Sequence, residues 1–238
     1  MKPPSFRVPK YNEHYDGTYD KRGLLWRRLG AADKARNIAT LIGDVQIGTV
    51  LEVGCGTGSV LSALAGRGIG SRHVGVDLAD PTKHTDPSAA NLDLVQFDGA
   101  ILPFENHSFD FVYASHVIEH VPEPRKMLTE MARVAKRWIY IEVPCELHLR
   151  TSHAELQRSL DIGHINAYTP ESFQLLLETS ELNVAAMQIF DHSYAAHRFG
   201  TSTFRAVFKT ALRGALLSAS PSLASRVFTY HCGALVRL

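Results

Sequence analysis

The sequence predicts an α/β fold built on a doubly wound parallel sheet. Short apolar runs alternate with helical patterns, and a glycine-rich turn links the first run to its helix. Strands that are buried on both faces read as nearly continuous apolar segments, which is typical of parallel sheets with helices on both sides. The chain of 238 residues is long enough to enclose one sizeable core of this kind.

The predicted elements follow one another in a regular order. Apolar runs indicate strands, and apolar residues at helical spacing or capping residues indicate helices. The predicted strands are residues 49–53, 73–78, 92–97, 109–114, 138–143, 182–190 and 228–238. The predicted helices are residues 57–67, 122–136, a helix that begins at Pro170 after the N-cap Thr169, and residues 203–217.

The N-terminal region precedes this alternation. Residues 1–20 are polar, contain prolines and tyrosines, and predict an extended arm, whereas residues 21–43 have the apolar spacing of two helices broken near Gly30. We expect one domain over residues 1–238. Its predicted parts are an arm with cap helices (1–44), the core (45–190), a helical insertion (191–225) and a final strand (226–238).

Composition and charge argue against several classes of protein. The formal net charge is +1, so no whole-molecule field favours nucleic acid or a membrane surface. The three cysteines are scattered and lack metal-ligand spacing, which favours a reducing compartment over a disulfide framework. The N-terminus has no apolar segment of the kind found in secretion signals, and no later segment has the length of a membrane span. We expect a cytoplasmic enzyme or binding protein.

Three glycines alternate directly after the first predicted strand, in the stretch TVLEVGCGTGSV. Gly54, Gly56 and Gly58 allow a tight strand-to-helix turn, and they let backbone N–H groups approach a ligand where a Cβ would collide. Packing of the helix against the strand is the alternative role for these glycines. Their alternation after a strand favours ligand binding.

The residues around this turn indicate the kind of ligand. The spacing G-x-G-x-G differs from the dinucleotide fingerprint, and the G-K-S/T of the nucleotide-hydrolase loop is absent. Glu52, before the first glycine, favours a cationic ligand over a phosphate. Asp77 ends the second strand, where an acid accepts hydrogen bonds from a ribose diol, and Asp98 follows the third strand, where it suits an adenine amino group. S-adenosylmethionine combines these features.

Four motifs resemble, in order and spacing, those of class I S-adenosylmethionine-dependent methyltransferases: VLEVGCGTG, GVDLAD, DGAILPFENHSFDFVYASHVIEHVPEP and IYIEVP, within residues 48–180. The resemblance implies a Rossmann-like, seven-stranded sheet whose last strand is antiparallel, and methyl transfer by direct displacement. It places the ribose at Asp77 and the sulfonium end near Ser115 and His116. The predicted cofactor-binding set is Glu52, Gly54, Cys55, Gly56, Gly58, Asp77, Leu78, Asp98, Gly99 and Ser115.

A cluster of titratable side chains follows the fourth predicted strand, in the segment SHVIEHV. On a helical turn His116, Glu119 and His120 share one face, at positions i, i+3 and i+4. Three roles remain open: a general base at His120, ligands of a divalent metal that acidifies a substrate hydroxyl, or hydrogen bonds that orient the loop. Ubiquinone-pathway O-methyltransferases look similar here but have glutamate in place of His116. A divalent metal is therefore considered but not predicted.

Further histidines and tyrosines are candidates for the acceptor side. His148, His153 and His164 follow the fifth predicted strand, in a segment that commonly lines the acceptor pocket of these enzymes. His148 is a further candidate base beside His116 and His120, and the other two are candidate substrate contacts; surface positions are the alternative. Tyr15 and Tyr19 lie in the N-terminal arm, where they either close over the site as a lid or pack the arm onto the domain.

The helix predicted at residues 203–217 has basic and apolar positions side by side. Basic residues recur every four positions, so residues 204–216 suit peripheral contact with a membrane surface or with an anionic or lipid-linked acceptor. A solvated basic face over a packed apolar face is the alternative. The sequence lacks the basic and aromatic pattern of nucleic-acid-binding domains, and ASHVIEH stands where amino-methylating nucleic-acid enzymes have N/D-P-P-Y/F. Nucleic acid is therefore not an expected partner.

Together these observations predict an S-adenosylmethionine-dependent methyltransferase that acts on a hydroxyl of a small molecule, such as a sugar, a glycolipid or a prenylated or lipid-linked intermediate. A histidine base or a divalent metal assists the displacement in this hypothesis. Two alternatives are an NAD-type oxidoreductase with a variant glycine loop and a catalytically silent relative that keeps the fold for binding. The acceptor, the pathway and the oligomeric state have no sequence signal.

Overall fold

The computed structural model describes residues 21–83 and 85–238 of the chain. The strands are β1 (Thr49–Val53), β2 (Arg72–Asp77), β3 (Asp93–Gln96), β4 (Phe109–Ser115), β5 (Ala135–Pro144), β6 (Val184–Phe190) and β7 (His231–Arg237). The helices are α1 (Lys21–Ile42), α2 (Ser59–Ala65), α3 (Pro124–Val134), α4 (His153–Asp161), α5 (Pro170–Glu178), α6 (Tyr194–Arg198), α7 (Thr203–Ala219) and α8 (Pro221–Val227). Short 3₁₀ turns occupy Pro81–Lys83, Pro87–Ala89 and Ile118–His120.

The strands form one seven-stranded sheet in the order β3-β2-β1-β4-β5-β7-β6. Pairing is parallel from β3 across to β5, whereas β7 is antiparallel to both β5 and β6. The predicted Rossmann-like sheet with an antiparallel last strand is confirmed. The strand order reverses between β1 and β4, and ligands of doubly wound folds bind beyond the carboxyl ends of the strands at such a point.

Side chains of the central strands divide between two apolar cores, one on each face of the sheet. On β4, Phe111 and Tyr113 pack with α1 and α2, whereas Val112 and Ala114 pack with α3 and α5. All four side chains are fully buried. Burial on both faces is the reason that this strand reads as a continuous apolar run in the sequence.

The N-terminal helix differs from the prediction of two helices broken near Gly30. The chain forms the single helix Lys21–Ile42, which runs through that glycine. A glycine inside a helix costs about 1 kcal/mol relative to alanine. Burial of Ala31, Ala35 and Ile38 against the sheet offsets this cost. The prediction was wrong because it weighed local propensity alone, without the tertiary packing.

A helical insertion separates the last two strands of the sheet, as predicted. Ser193, Ser202 and Ser220 cap α6, α7 and α8, and each accepts a hydrogen bond from a backbone N–H in the first turn of its helix. The two ends of the insertion lie together, because Phe190 at the end of β6 pairs with His231 at the start of β7. None of the helices in the described part of the chain combines the length and the hydrophobicity needed to cross a bilayer.

Candidate active site

A cavity of about 1070 Å³ lies at the carboxyl ends of the parallel strands. Pockets that enclose one drug-sized ligand have volumes of about 300–1000 Å³, so this cavity has room for a cofactor and a small acceptor. Nine of the ten predicted cofactor-binding residues line it: Glu52, Gly54, Cys55, Gly56, Asp77, Leu78, Asp98, Gly99 and Ser115. The tenth, Gly58, is buried at the end of the turn, directly before α2.

The turn after β1 passes through the left-handed region of backbone space. Gly54, Gly56 and Gly58 have φ angles of 74°, 51° and 74°, which favour glycine over any residue with a Cβ. A Cβ at Gly54 would lie 2.5 Å from Cγ2 of Val117, and a Cβ at Gly58 would lie 2.8 Å from Cβ of Ala89. Gly54 and Gly58 are therefore required for both conformation and space.

Asp77 lies at the end of β2, opposite this turn. Its Oδ2 accepts a hydrogen bond from the N–H of Gly56 at 2.7 Å, and its Oδ1 accepts one from the N–H of Ala79 at 3.0 Å. Burial raises the pKa of the Asp77 carboxyl, and the two N–H donors oppose that rise. Each carboxylate oxygen keeps a second acceptor site, so Asp77 can still accept both hydroxyls of a ribose.

Glu52 is buried on β1 beside the glycine turn. Its Oε2 accepts a hydrogen bond from the N–H of Leu61 at 3.2 Å. Burial raises the pKa of the Glu52 carboxyl to about 8, so a cation that approaches this carboxyl is the kind of group that would ionise it at neutral pH. The environment agrees with the predicted preference for a cationic ligand.

The far end of the cavity lies beyond β2 and β3. Asp98 holds its own loop, because its Oδ1 accepts hydrogen bonds from the N–H groups of Ala100 at 2.8 Å and Ile101 at 3.1 Å. Leu78 and Phe97 line the same end of the cavity, and an aliphatic and an aromatic side chain together suit a planar base.

Histidines gather at the opposite end of the cavity. His116 follows β4 with a φ of 60°, a left-handed conformation that is uncommon for a residue with a side chain. Its Nε2 lies 2.9 Å from Nδ1 of His231 and 3.3 Å from Oε1 of Glu142. Nε2 of His231 in turn lies 3.0 Å from Nε2 of His192. Burial lowers the pKa of both His116 and His231 well below the usual histidine value, so both are neutral at pH 7.

A second pair of histidines lines the same end. Nδ1 of His120 lies 3.0 Å from the carbonyl oxygen of Gly163, so this nitrogen carries the hydrogen. Nδ1 of His164 lies 2.9 Å from Oε2 of Glu146. Burial lowers the pKa of His120 to about 4, so this imidazole is also neutral at pH 7.

The predicted helical face of His116, Glu119 and His120 is wrong. Ile118–His120 is a 3₁₀ turn, and the left-handed His116 lies before it, so α-helical spacing does not apply. Two groups form instead, and they adjoin where Nδ1 of His116 lies 3.5 Å from Oε1 of Glu119. His116 joins Glu142 and His231, whereas Glu119 and His120 join His164.

Two other candidates lie away from the large cavity. His148 lines a smaller recess, where its Nε2 lies 3.2 Å from Oγ1 of Thr229. The chain after β5 turns toward α8, and this turn carries His148 away from the cavity. His153 is exposed at the start of α4. The structure therefore does not bring His148 or His153 to the site, whereas it does bring His164. Tyr15 and Tyr19 lie outside the described residues.

Sequence reasoning missed three residues at the histidine end of the cavity. His192 follows β6, and His231 begins β7, so both are far in sequence from the motifs at residues 48–144. Glu142 is the one acidic residue in the apolar run IYIEVP of β5. A carboxylate in an otherwise buried strand was a usable signal, because such a group requires partners. Asn37 is one such partner, and its Nδ2 donates to Oε2 of Glu142 at 3.0 Å.

Comparison with known families adds an independent observation to this geometry. Residues 24–186 match a family model described as a methyltransferase domain. The chain belongs to this methyltransferase family. An uncharacterized methyltransferase of Mycobacterium sp. (strain JLS) is 40% identical over 89 residues, which cover 37% of this chain and 34% of the relative. The match therefore spans about a third of the relative's length.

Solved structures share the fold of this chain. A geranyl diphosphate methyltransferase in complex with GPP and sinefungin has a TM-score of 0.63 at 14% identity, over 86% of this chain and 77% of the other. The cyclase SpnF has a TM-score of 0.59 at 15% identity, over 86% and 80% of the two chains. At these identities the likeness shows the fold alone.

S-adenosylmethionine is the cofactor of the methyltransferase family to which the chain belongs, and this confirms the predicted cofactor. The residues present fit it. The glycine turn has no room for a Cβ at Gly54, Glu52 offers a buried carboxyl to an ammonium group, and Asp77 keeps acceptor sites for a ribose. These residues, with Leu78 and Phe97 around the adenine, would hold the cofactor in this chain.

Proposed function

We propose that this chain transfers a methyl group from S-adenosylmethionine to a hydroxyl oxygen of a small, lipid-linked acceptor. The observation that supports cofactor use is the turn with three left-handed glycines, held to Asp77 by the hydrogen bond from Gly56. Support for an oxygen acceptor comes from the neutral histidines at the other end of the same cavity.

Positioning and proton transfer are the tasks of the protein in this reaction. When bound, S-adenosylmethionine supplies an electrophilic methyl group on a sulfonium, so the acceptor oxygen must lie in line with the methyl–sulfur bond. His120 suits the role of proton acceptor, because its Nδ1–H donates to the carbonyl of Gly163, which makes Nε2 the unprotonated nitrogen of the neutral ring. This Nε2 would accept the proton of the acceptor hydroxyl.

The exposed apolar side chains of the helix α7 are evidence for a lipid-linked acceptor. Apolar side chains form an exposed stripe along it, with Phe204 81% exposed, Phe208 62%, Val207 53% and Leu212 46%. Exposed apolar patches of this kind mark interaction surfaces. Helix spacing of three to four residues places all four on one side of α7.

The positive charge around α7 favours an anionic lipid surface as the binding partner of this stripe. Residues 192–238 contain six lysines and arginines and no aspartate or glutamate. Arg205 and Lys209 are exposed on α7 itself, and Arg198 and Arg226 are exposed on the neighbouring helices. Apolar side chains flanked by basic ones are typical of helices that lie on anionic membranes. A prenyl substrate is named for the geranyl diphosphate methyltransferase that shares this fold, which agrees with a lipid-linked acceptor.

Calorimetric titration tests the cofactor part of this proposal. We expect micromolar binding of S-adenosylmethionine and S-adenosylhomocysteine and none of NADH. Replacement Asp77→Asn removes charge-assisted hydrogen bonds, so we expect it to weaken binding by about 1–3 kcal/mol, or about 5- to 150-fold. Asp93→Asn, an exposed acid on the neighbouring strand, is the control and should leave the affinity unchanged. Binding of NADH alone, or equal affinity of both variants, would contradict the assignment.

Vesicle sedimentation tests the lipid surface. We expect the chain to sediment with vesicles of phosphatidylglycerol and phosphatidylcholine and to stay in solution with phosphatidylcholine alone. Burial of a phenylalanine contributes about 1.5–3 kcal/mol, so the double variant Phe204→Ser/Phe208→Ser should bind at least about tenfold more weakly. Leu175→Ser is the matched control, because Leu175 is 58% exposed on α5. Equal sedimentation of the two variants would refute the role of α7.

A further inference from the structure

Three side chains from different parts of the sheet converge at the histidine end of the cavity. His116 follows β4, Glu142 lies on β5, and His231 begins β7. One ligand atom of each lies within 4.8 Å of the other two. The contacts join Nε2 of His116 to Nδ1 of His231 at 2.9 Å and to Oε1 of Glu142 at 3.3 Å.

These distances are close to those between ligands of a single metal ion. Zinc binds histidine nitrogen and carboxylate oxygen at about 2.0–2.2 Å in tetrahedral geometry, which separates neighbouring ligand atoms by about 3.3–3.6 Å. The separations of 2.9 and 3.3 Å therefore require only small adjustments of the side chains. The three side chains lie close together because β4, β5 and β7, which carry or adjoin them, are neighbouring strands of the sheet.

The outward-facing nitrogens of the two imidazoles lie near second polar groups. Nε2 of His231 lies 3.0 Å from Nε2 of His192, and Nδ1 of His192 lies 3.6 Å from Oδ2 of Asp33. Nδ1 of His116 lies 3.5 Å from Oε1 of Glu119. Metal-bound histidines typically present their second nitrogen to a carboxylate or another acceptor, which fixes the ligating nitrogen. Nδ1 of His231 and Nε2 of His116 are thereby directed at the same point.

Glu142 is held in the same manner. Its Oε2 accepts hydrogen bonds from Nδ2 of Asn37 at 3.0 Å and from the hydroxyl of Tyr140. Its Oε1 faces His116 and the hydroxyl of Ser115, which lies 3.3 Å away. Oε2 is therefore held by two hydrogen bonds, whereas Oε1 faces His116 and accepts only the longer hydrogen bond from Ser115. A carboxylate that binds a metal through one oxygen is typically held in this way.

An independent observation is the carboxylate of Glu119. Its side chain is 0% exposed, and neither oxygen has a hydrogen-bond partner among the described residues. A buried carboxylate without hydrogen bonds is costly, and nearby positive charge, to which Lys34 contributes, compensates for part of the cost. The left-handed backbone of His116 is a second unusual feature at the same place, and such strain is concentrated at functional sites.

We propose that His116, Glu142 and His231 bind one divalent first-row metal ion, with zinc as the preferred probe. Two imidazoles and a carboxylate suit zinc, iron(II) or manganese better than magnesium, which prefers oxygen ligands. The ion leaves a coordination position toward the cavity for the acceptor hydroxyl, whose proton it makes easier to remove. This catalytic role rests on the proposed function, but binding of the ion does not.

Titration of the full chain with zinc chloride, after treatment with a chelator, tests the site. We expect one zinc ion per chain by calorimetry, and visible d–d absorption bands when cobalt(II) replaces zinc. The variant His231→Ala should bind zinc at least about 100-fold more weakly, because it removes a ligand. His164→Ala is the matched control from the second histidine group and should bind as the unaltered chain does.

Several outcomes would overturn the site. An unaltered chain without zinc binding, an unchanged affinity in His231→Ala, or a loss confined to His164→Ala would each do so. Thermal unfolding of His231→Ala without metal checks its folding, and the conservative variant His231→Gln provides a second test if alanine is not tolerated. Because neither cofactor nor acceptor is present, a chain that binds zinc but transfers no methyl group contradicts only the proposed function.

Discussion

Replacement Arg213→Met should lower the free energy of unfolding by about 3–5 kcal/mol, because it leaves a buried carboxylate without its cation. Arg213 lies on α7 with 7% of its side chain exposed, and its Nη2 donates to Oδ1 of Asp191 at 2.7 Å and to the carbonyl of Thr229 at 2.6 Å. The side chain of Asp191 is only 11% exposed. The guanidinium also lies 4.2 Å from the ring centroid of Tyr230. Urea denaturation of both chains measures the difference.

The pH dependence of this effect has a defined sign. Burial tends to raise the pKa of Asp191, but hydrogen bonds from His197 and Arg213 hold it well below its usual value. A carboxyl with a depressed pKa stabilises the fold above its unfolded pKa of about 3.9, and this stabilisation is lost as the pH falls further. The deficit of Arg213→Met should therefore be largest near neutral pH and should shrink below about pH 4.

Two further variants separate the ion pair from general effects of losing an arginine. Arg205→Met removes an exposed arginine from the same helix and should change stability by about 0.5 kcal/mol or less. The double variant Arg213→Met/Asp191→Asn should recover part of the loss, because the unpaired charge is then removed as well. Equal losses in Arg205→Met and Arg213→Met would contradict the explanation.

Replacement Gly54→Ala should almost abolish cofactor binding. The left-handed backbone costs a residue with a Cβ about 1–2 kcal/mol, and the new methyl group would lie 2.5 Å from Cγ2 of Val117. Overpacking of this kind costs about 1–3 kcal/mol. The sum of about 2–5 kcal/mol corresponds to a loss of affinity of about 30-fold to several thousandfold. Calorimetric titration with S-adenosylhomocysteine measures it.

Gly68→Ala is a closely matched control for this experiment. Gly68 has a φ of 72°, and apart from its two neighbours in the chain no described residue has an atom within 4 Å of the position of its Cβ. The same backbone strain is therefore introduced outside the cavity and without a steric overlap. We expect lower thermal stability with unchanged affinity. A comparable loss of affinity in both variants would show that general destabilisation, and not the shape of the turn, determines binding.

Much of the fold and of the cofactor end could be predicted from the sequence, since both depend on local patterns. The run FDFVYA indicates a buried strand because both faces of β4 are covered. The N-cap Thr169 and Pro170 predict the start of α5, which the structure has at Pro170. The three glycines alternate within residues 54–58, so a short motif contains the whole turn.

The histidine end could not be predicted in the same way, because its parts come together only in the folded sheet. His116 and His231 are brought into contact by the antiparallel pairing of β7 with β5. Helical spacing failed at residues 116–120 because a single left-handed residue changed the direction of the chain. Gly30 was misjudged for a related reason, since the sheet stabilises α1 more than one glycine weakens it.

The helical insertion leaves the sheet and returns to it at nearly one point. Phe190 pairs with His231, and the rings of His192 and His231 lie 4.3 Å apart. Evolution can lengthen, shorten or replace a segment attached in this way without moving either strand. The chemistry of the cavity and the surface formed by this segment can therefore be inherited separately. A chimaera that exchanges residues 193–230 between relatives would therefore keep every residue that lines the cavity.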